Sequence, residues 1–209
     1  MHYIRKSKEL SKIIAHGNEE LEIVLSYCLR EMIRNISEHS ETDNAWVCGQ
    51  YWPTKGKAEI AIVDEGIGLK SSLRNNRFHR EYIFDDKEAI QFAIKPGISR
   101  AFSPTSKNKF NDFWSNSGFG LYMTSTLCKE LGGKFYLSSG NRCLSIDKNN
   151  AKFYDTKYQG VAIGIELPTN FVKSKDIISK ISIEGENEAK KIRNTFKNAS
   201  KPSKGLTID

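Results

Sequence analysis

The chain has 209 residues, of which 38% are hydrophobic and 27% charged, so its composition is that of a globular protein and excludes an intrinsically disordered one. It contains no run of 18 apolar residues and no apolar N-terminal segment, which predicts that it has neither a membrane span nor a signal peptide. The formal net charge of +7 permits phosphate, acidic or nucleic-acid partners and selects none of them.

The length fits one domain with an extension at each end. We divide the chain into an N-terminal extension (1–17), which is a short helix or strand docked on the domain, the domain itself (18–170), and a basic C-terminal tail (171–209). One more helix is expected in the tail, around Glu186 to Asn198. The four cysteines are widely spaced and match neither a zinc site nor a disulfide framework, so we expect reduced, buried thiols in a cytoplasmic protein.

The first helix of the domain is predicted from Asn18 to Ser40. Asn18 is a favourable N-cap, three glutamates fill the first turn, and apolar residues recur every three or four positions. Glu31 and Asn35 lie one turn apart on one helix face. A carboxylate and an amide so placed suit a Mg²⁺ site, in which Asn35 supplies an oxygen and Glu31 orients or deprotonates a water molecule. An exposed polar pair is the alternative interpretation.

A β-hairpin is predicted next, from two apolar-rich runs, Ala45–Trp52 and Lys57–Val63, that flank a Pro-Thr-Lys-Gly turn. Its second strand delivers Asp64, which is followed by Gly66 and Gly68. An ionised carboxylate there can accept a hydrogen bond from an exocyclic amine such as that of adenine, and glycines let a flat ligand approach the backbone. A tight turn after a strand is the alternative interpretation.

The stretch between residues 70 and 117 is polar and predicts a single helix, Asp86–Ile94, which Lys95-Pro96-Gly97 ends. A long stretch with so little regular structure is typical of a functional or mobile segment. Lys95 and Arg100 are candidates for a phosphate contact in this stretch, with ordinary surface charge as the alternative.

The segment Asn116-Ser117-Gly118-Phe119-Gly120-Leu121 opens a second helix, which is predicted from Gly118 to Leu131. Alternate glycines at a helix start leave N–H groups at its positive end, and such groups bind phosphate oxygens. The segment is neither a Walker A loop nor a Rossmann loop, because no Gly-Lys-Ser/Thr follows it and no apolar strand directly precedes it.

Three further strands are predicted, over Lys134–Ser138, Arg142–Ile146 and Val161–Leu167. All the elements together predict an α+β fold, a two-layer α/β sandwich with one mixed sheet and helices on one face.

The order of these motifs resembles the GHKL superfamily, the Bergerat-fold ATPases. Gyrase B subunits, mismatch-repair ATPases, a heat-shock chaperone ATPase and the catalytic domains of sensor histidine kinases belong to this group. A helical Glu-x-x-x-Asn comes first, then a strand that ends in Asp-x-Gly-x-Gly, a long irregular segment, a glycine-opened helix, and closing strands. The resemblance covers roughly Asn18 to Asn170.

The resemblance implies that the ligands are ATP and Mg²⁺. It assigns Mg²⁺ coordination to Asn35, the general base of the hydrolytic members to Glu31, recognition of the adenine amino group to Asp64, and an ATP lid to residues from about 69 to 117. The residues that it assigns to ATP binding are Asn35, Asp64, Gly66, Gly68, Asn116, Gly118, Phe119, Gly120 and Leu121.

Three positions depart from the family pattern or extend it. Asn116 stands where the second glycine box usually opens with glycine, although asparagine tolerates positive φ. Gly160 is followed by Val161 instead of the usual threonine, which removes a hydroxyl from the adenine pocket. His39 lies one turn beyond Asn35, where the family often has a basic or aromatic residue near the nucleotide, and a solvated histidine at the helix end is the alternative.

The resemblance leaves three functions open. The chain can hydrolyse ATP with Glu31 as the base, transfer phosphate to a His or Ser of a partner protein, or act as a nucleotide-gated binding module without catalysis. A protein partner or second domain in trans is expected, because many relatives dimerise or act beside another domain. The positive charge permits nucleic acid as a partner, but no recognisable reading motif is present.

Overall fold

The computed structural model of the chain describes residues 2–42, 44–104, 117–171 and 174–199. Within these ranges the fold is α+β, with six α-helices and one four-stranded sheet. The helices are α1 (His2–Ala15), α2 (Glu19–His39), α3 (Gly68–Arg74), α4 (Asp86–Ala93), α5 (Gly120–Glu130) and α6 (Ser174–Ala189). The strands are β1 (Ala45–Trp52), β2 (Lys57–Asp64), β3 (Lys134–Ile146) and β4 (Ala151–Pro168).

The sheet has the order β1-β2-β4-β3, and all of its described pairings are antiparallel. The prediction of a mixed sheet is therefore wrong. Short turns join β1 to β2 and β3 to β4, and a short turn between adjacent strands produces antiparallel pairing. The central pair, β2 with β4, runs from Lys57 opposite Pro168 to Asp64 opposite Val161. This register places Asp64 at the end of an interior strand.

The predicted hairpin and the helices α2, α4 and α5 are confirmed within two residues at each end. The prediction of a single helix between residues 70 and 117 is wrong, because most of α3 also lies in that stretch. The strand predictions after α5 need correction, because two of the three predicted strands form one continuous strand, β3. The polar residues that suggested a break lie at an irregularity of the strand register around Gly140, where φ is +65°, and the strand continues beyond it. β4 begins at Ala151, ten residues before its predicted start, because its first half is too exposed to show an apolar pattern.

Helices α1, α2, α5 and α6 pack with β2, β3 and β4 around the main core. Asn18 caps α2 as predicted, since its side-chain oxygen accepts the backbone N–H of Leu21 at 3.0 Å. In β2, Ala58, Ile60 and Ile62 are buried, and the residues between them are only half buried. No helix in the described part of the chain is long and apolar enough to cross a membrane.

The cysteines differ in their exposure. Cys28 and Cys128 are buried and Cys143 is half buried, whereas Cys48 on β1 is exposed. The prediction of buried thiols is therefore wrong for Cys48, which lies on the edge strand of the sheet.

Both terminal helices bury small side chains that an apolar pattern does not reveal. In α1, Ser7 and Ser11 are buried on the same face as Ile14. In α6 the buried face includes Ser182 and Gly185, and the Cβ of a larger residue at 185 would meet the ring of Tyr122. The helix predicted around Glu186–Asn198 is therefore wrong in position, since α6 ends at Ala189.

After α6 the described chain folds back over the region between α3 and α5. The backbone N–H of Phe196 donates to the carbonyl of Gly97 at 2.9 Å, and the N–H of Gly97 donates to the carbonyl of Gly118 at 3.1 Å. Residues 97 and 118 lie beside the cleft described below, so this part of the tail helps to hold the wall of that cleft.

Candidate functional site

A cleft opens between α2, the ends of β2 and β4, α3, and the start of α5. We refer to it as the Asp64 cleft. Six of the residues that the sequence singled out for ATP binding line it, although they come from three distant parts of the chain. They are Asn35, Asp64, Gly68, Gly118, Gly120 and Leu121.

Asp64 lies at the floor of the cleft, and only 3% of its surface is exposed. Its Oδ1 accepts the backbone N–H groups of Gly66 at 2.8 Å and Val161 at 3.3 Å. In the described part of the chain, no protein group donates a hydrogen bond to its Oδ2. Burial raises the pKa of this carboxyl, and the two N–H donors partly offset that effect. Asp64 therefore has one anchored oxygen and one acceptor left for a ligand.

The turn after Asp64 depends on two glycines that do not line the cleft themselves. A Cβ on Gly66 would overlap the carbonyl oxygen of Ser40, and a Cβ on Gly160, where φ is +98°, would overlap the carbonyl oxygen of Asp64. The backbones of α2, β2 and β4 thus approach one another at these points more closely than a side chain allows.

Two hydroxyl groups that the sequence analysis did not single out hold this turn. Ser139 Oγ donates to the carbonyl of Gly160 at 2.8 Å and accepts the N–H of Leu69 at 3.0 Å, which ties the start of α3 to β4. Tyr158 Oη donates to the carbonyl of Asp64 at 2.7 Å. Their partners are 21 to 94 residues away in sequence, so no local pattern could have indicated them.

The start of α5 forms the wall opposite the Asp64 turn. No side chain caps this helix end, so in the described residues its first N–H groups have no side-chain acceptor. Gly118 has φ +72° and packs on the backbone of Ile98, whereas the Phe119 side chain is fully buried and packs in the core. An added Cβ at Gly120 would lie 3.0 Å from Glu31 Oε2 and 3.4 Å from Asn35 Nδ2. Gly120 thus lets α5 begin directly against α2.

Glu31 is completely buried beneath the start of α5 and is not among the residues that line the cleft. Its Oε2 accepts a hydrogen bond from Arg34 Nη2 at 2.5 Å, and Arg30 Nε lies 3.6 Å from Oε1. The two arginines therefore hold the Glu31 carboxylate in place beneath the helix. The general-base role of Glu31 remains a prediction.

The four remaining candidate residues from the sequence, His39, Lys95, Arg100 and Gly160, lie in different places. Arg100 lines the cleft, whereas the Lys95 ammonium lies 5.5 Å from the centre of the Phe92 ring, away from it. Gly160 supports the Asp64 turn as described above. His39 ends α2, and its side chain lies outside the described residues, as do Asn116 and the part of the predicted lid from 105 to 116.

No group of three or more His, Cys, Asp and Glu side chains that could hold a metal ion occurs in the described ranges. A magnesium ion in the cleft would therefore depend on the Asn35 amide oxygen, on phosphate oxygens of the ligand and on the waters that Mg²⁺ usually keeps.

The sequence matches no protein-family model and no curated protein. The resemblance to the GHKL superfamily therefore stays a prediction from the sequence motifs.

Proposed function

We propose that this protein binds Mg-ATP in the Asp64 cleft in the manner of the GHKL superfamily. The observation that supports this function is the convergence of Asp64, Asn35, Gly118 and Gly120 on one cleft. The amino group of the purine would donate a hydrogen bond to Asp64 Oδ2, and Asn35 would hold Mg²⁺. The triphosphate would lie toward the N–H groups at the start of α5, where the helix dipole favours negative charge.

The fit to a purine is supported by the surroundings of the carboxylate. Val161, Ile62 and Ile163 line the cleft beside Asp64, so a ligand there would meet an apolar wall next to a buried carboxylate. A site of this kind discriminates against ligands that lack a donor, because such a ligand leaves the carboxylate desolvated and without a partner.

Titration calorimetry with Mg-ATP tests the binding site, with Asp64→Asn as the variant. Losing a charge-assisted hydrogen bond should weaken binding by about 10- to 100-fold. Asp155→Asn is the matched control, because Asp155 pairs with Arg142 on the β3–β4 hairpin and does not line the cleft. Absence of Mg-ATP binding by the wild type, or equal affinities for wild type and Asp64→Asn, would contradict the proposal.

Hydrolysis of ATP with Glu31 as general base is the catalytic form of this proposal. Glu31→Gln is a better test than Glu31→Ala, because glutamine keeps the shape of a side chain that is buried against Arg34. General-base catalysis contributes about 10²- to 10⁴-fold, so phosphate release should fall by that factor while the affinity for Mg-ATP is kept. Unchanged phosphate release in Glu31→Gln would rule out Glu31 as the general base.

A second candidate function is a nucleotide-gated binding module that does not hydrolyse ATP. The pairing of Glu31 with Arg34 favours it, since the carboxylate would have to exchange this partner for water before it could act as a base. Tight Mg-ATP binding with no phosphate release, and with Glu31→Gln equal to the wild type, is the result that this candidate predicts.

A further inference from the structure

Arg100 reaches from the wall of the Asp64 cleft to the end of α2. Its Nη2 donates to the carbonyl of Glu38 at 3.0 Å, and its Nη1 forms an ion pair with the carboxylate of Glu41. The side chain is 26% exposed and that of Glu41 is 50% exposed, so both charges remain in contact with water. The guanidinium is thus held at a helix C-terminus by a carbonyl and a carboxylate.

The backbone that carries Arg100 is fixed independently of its side chain. Asn76 is buried, and its Nδ2 donates to the carbonyls of Arg100 and Phe102, both at 2.8 Å. The guanidinium can therefore change partners by side-chain rotation while the cleft wall keeps its place.

Glu41 is held next to the Asp64 turn. Its backbone has φ +57°, a left-handed conformation that costs a non-glycine residue energy. The preceding carbonyl, that of Ser40, accepts the N–H of Ile67 at 3.0 Å, and Ser40 itself lines the cleft. Strained residues at such places are often part of a functional device.

We propose that Glu41 is a positioning residue that competes with the ligand's phosphate groups for Arg100, an inference that depends on the nucleotide-binding function proposed above. A phosphate offers guanidinium the same forked hydrogen bonding as a carboxylate and carries more charge. When a nucleotide binds, Arg100 leaves Glu41 and the Glu38 carbonyl and pairs with phosphate. Glu41 therefore lowers the affinity for phosphorylated ligands and keeps Arg100 at the mouth of the empty cleft.

The inference is tested by calorimetry with Mg-ATP and with adenosine on Glu41→Gln. Glutamine keeps the size of the side chain and removes its charge. We expect Mg-ATP to bind about 1.5- to 5-fold more tightly, the range that a partly exposed ion pair can supply, and adenosine to bind as in the wild type. The difference should shrink at high salt, because exposed pairs are screened.

Two further variants isolate the mechanism. Asp155→Asn makes the same change in net charge at an Arg–carboxylate pair away from the cleft, and it should leave both affinities unchanged. In an Arg100→Gln background, Glu41→Gln should no longer alter Mg-ATP affinity, because the guanidinium for which Glu41 and phosphate compete has been removed.

Three results would overturn the competition while leaving the proposed function standing. They are equal Mg-ATP affinity for wild type and Glu41→Gln, an equal gain for adenosine, and an equal gain from Asp155→Asn. A wild-type protein that binds neither ligand would overturn the proposed function, and the competition with it.

Discussion

Replacing Gly160 with alanine should cost far more stability than the same change at Gly132. Both glycines have left-handed backbones, with φ of +98° and +77°. A Cβ at Gly132 would meet no atom within 4 Å, whereas one at Gly160 would overlap the carbonyl oxygen of Asp64. The left-handed backbone costs alanine about 1–2 kcal/mol at either site. Forcing β2 and β4 apart adds about 1–3 kcal/mol at Gly160, for about 2–5 kcal/mol in total.

Urea unfolding of the two variants measures this difference, and calorimetry with Mg-ATP measures its effect on the cleft. Gly160→Ala should also weaken Mg-ATP binding, because it displaces Asp64 and the N–H of Val161 that anchors its carboxylate. Gly132→Ala should bind like the wild type. Equal losses of stability in the two variants would refute the close approach of β2 and β4, and full affinity in Gly160→Ala would refute its role at the cleft.

Three other predictions concern charged or titratable side chains. Burial raises the pKa of Asp64 above its ordinary value of 3.8, and the ligand needs the ionised form. Mg-ATP affinity should therefore fall on acidification at a higher pH than an ordinary aspartate would cause, and calorimetry from pH 7.5 to 4 measures this fall. Burial lowers the pKa of His79, so the unfolded chain takes up this proton first. Stability measured by urea unfolding should therefore drop as pH falls below about 6.5. Lys197→Met should cost about 1–2 kcal/mol in urea unfolding, since the Lys197 ammonium donates to the carbonyl of Ala189 at 2.8 Å and to Thr195 Oγ1 at 3.0 Å near the end of α6.

Each of these outcomes has its own control. Asp64→Asn should remove the pH dependence of binding that comes from this carboxyl, so an identical profile in that variant would contradict the first. His79→Gln should be less sensitive to acid than the wild type, and equal sensitivity would show that other groups are responsible. A Lys197→Met protein as stable as the wild type would mean that the ammonium does not support α6.

Local signals in the sequence located the elements that carry the candidate site. Asn18 and the acidic turn after it mark the start of α2, Pro53 and Gly56 mark the hairpin, and the apolar run of β2 leads to Asp64. These signals act between residues a few positions apart, where propensity, capping and turn geometry are decided. They can therefore be recognised in the sequence before the fold is known.

Predictions from the sequence were wrong where packing depends on small or polar side chains. The buried face of α6 includes Ser182 and Gly185, which do not stand out in an apolar pattern, so the helix predicted around Glu186–Asn198 was misplaced. The buried serines of α1 are hidden from such a pattern for the same reason. The first half of β4 lies in an exposed hairpin, where neither face is apolar enough to indicate a strand. The mixed sheet was wrong because chain order alone does not decide which strands become neighbours.

By itself the sequence determined the α+β class, the ends of α2, α4 and α5 to within two residues, and the motifs around Asn35, Asp64 and Gly118. Only the tertiary structure decided that these motifs share one cleft, that Ser139 and Tyr158 brace its floor, and that Arg100 pairs with Glu41. The physical reason is the separation along the chain of the residues that interact, because caps and turns form between close neighbours in the sequence. The cleft and its ion pair form between residues brought together when the sheet and helices pack.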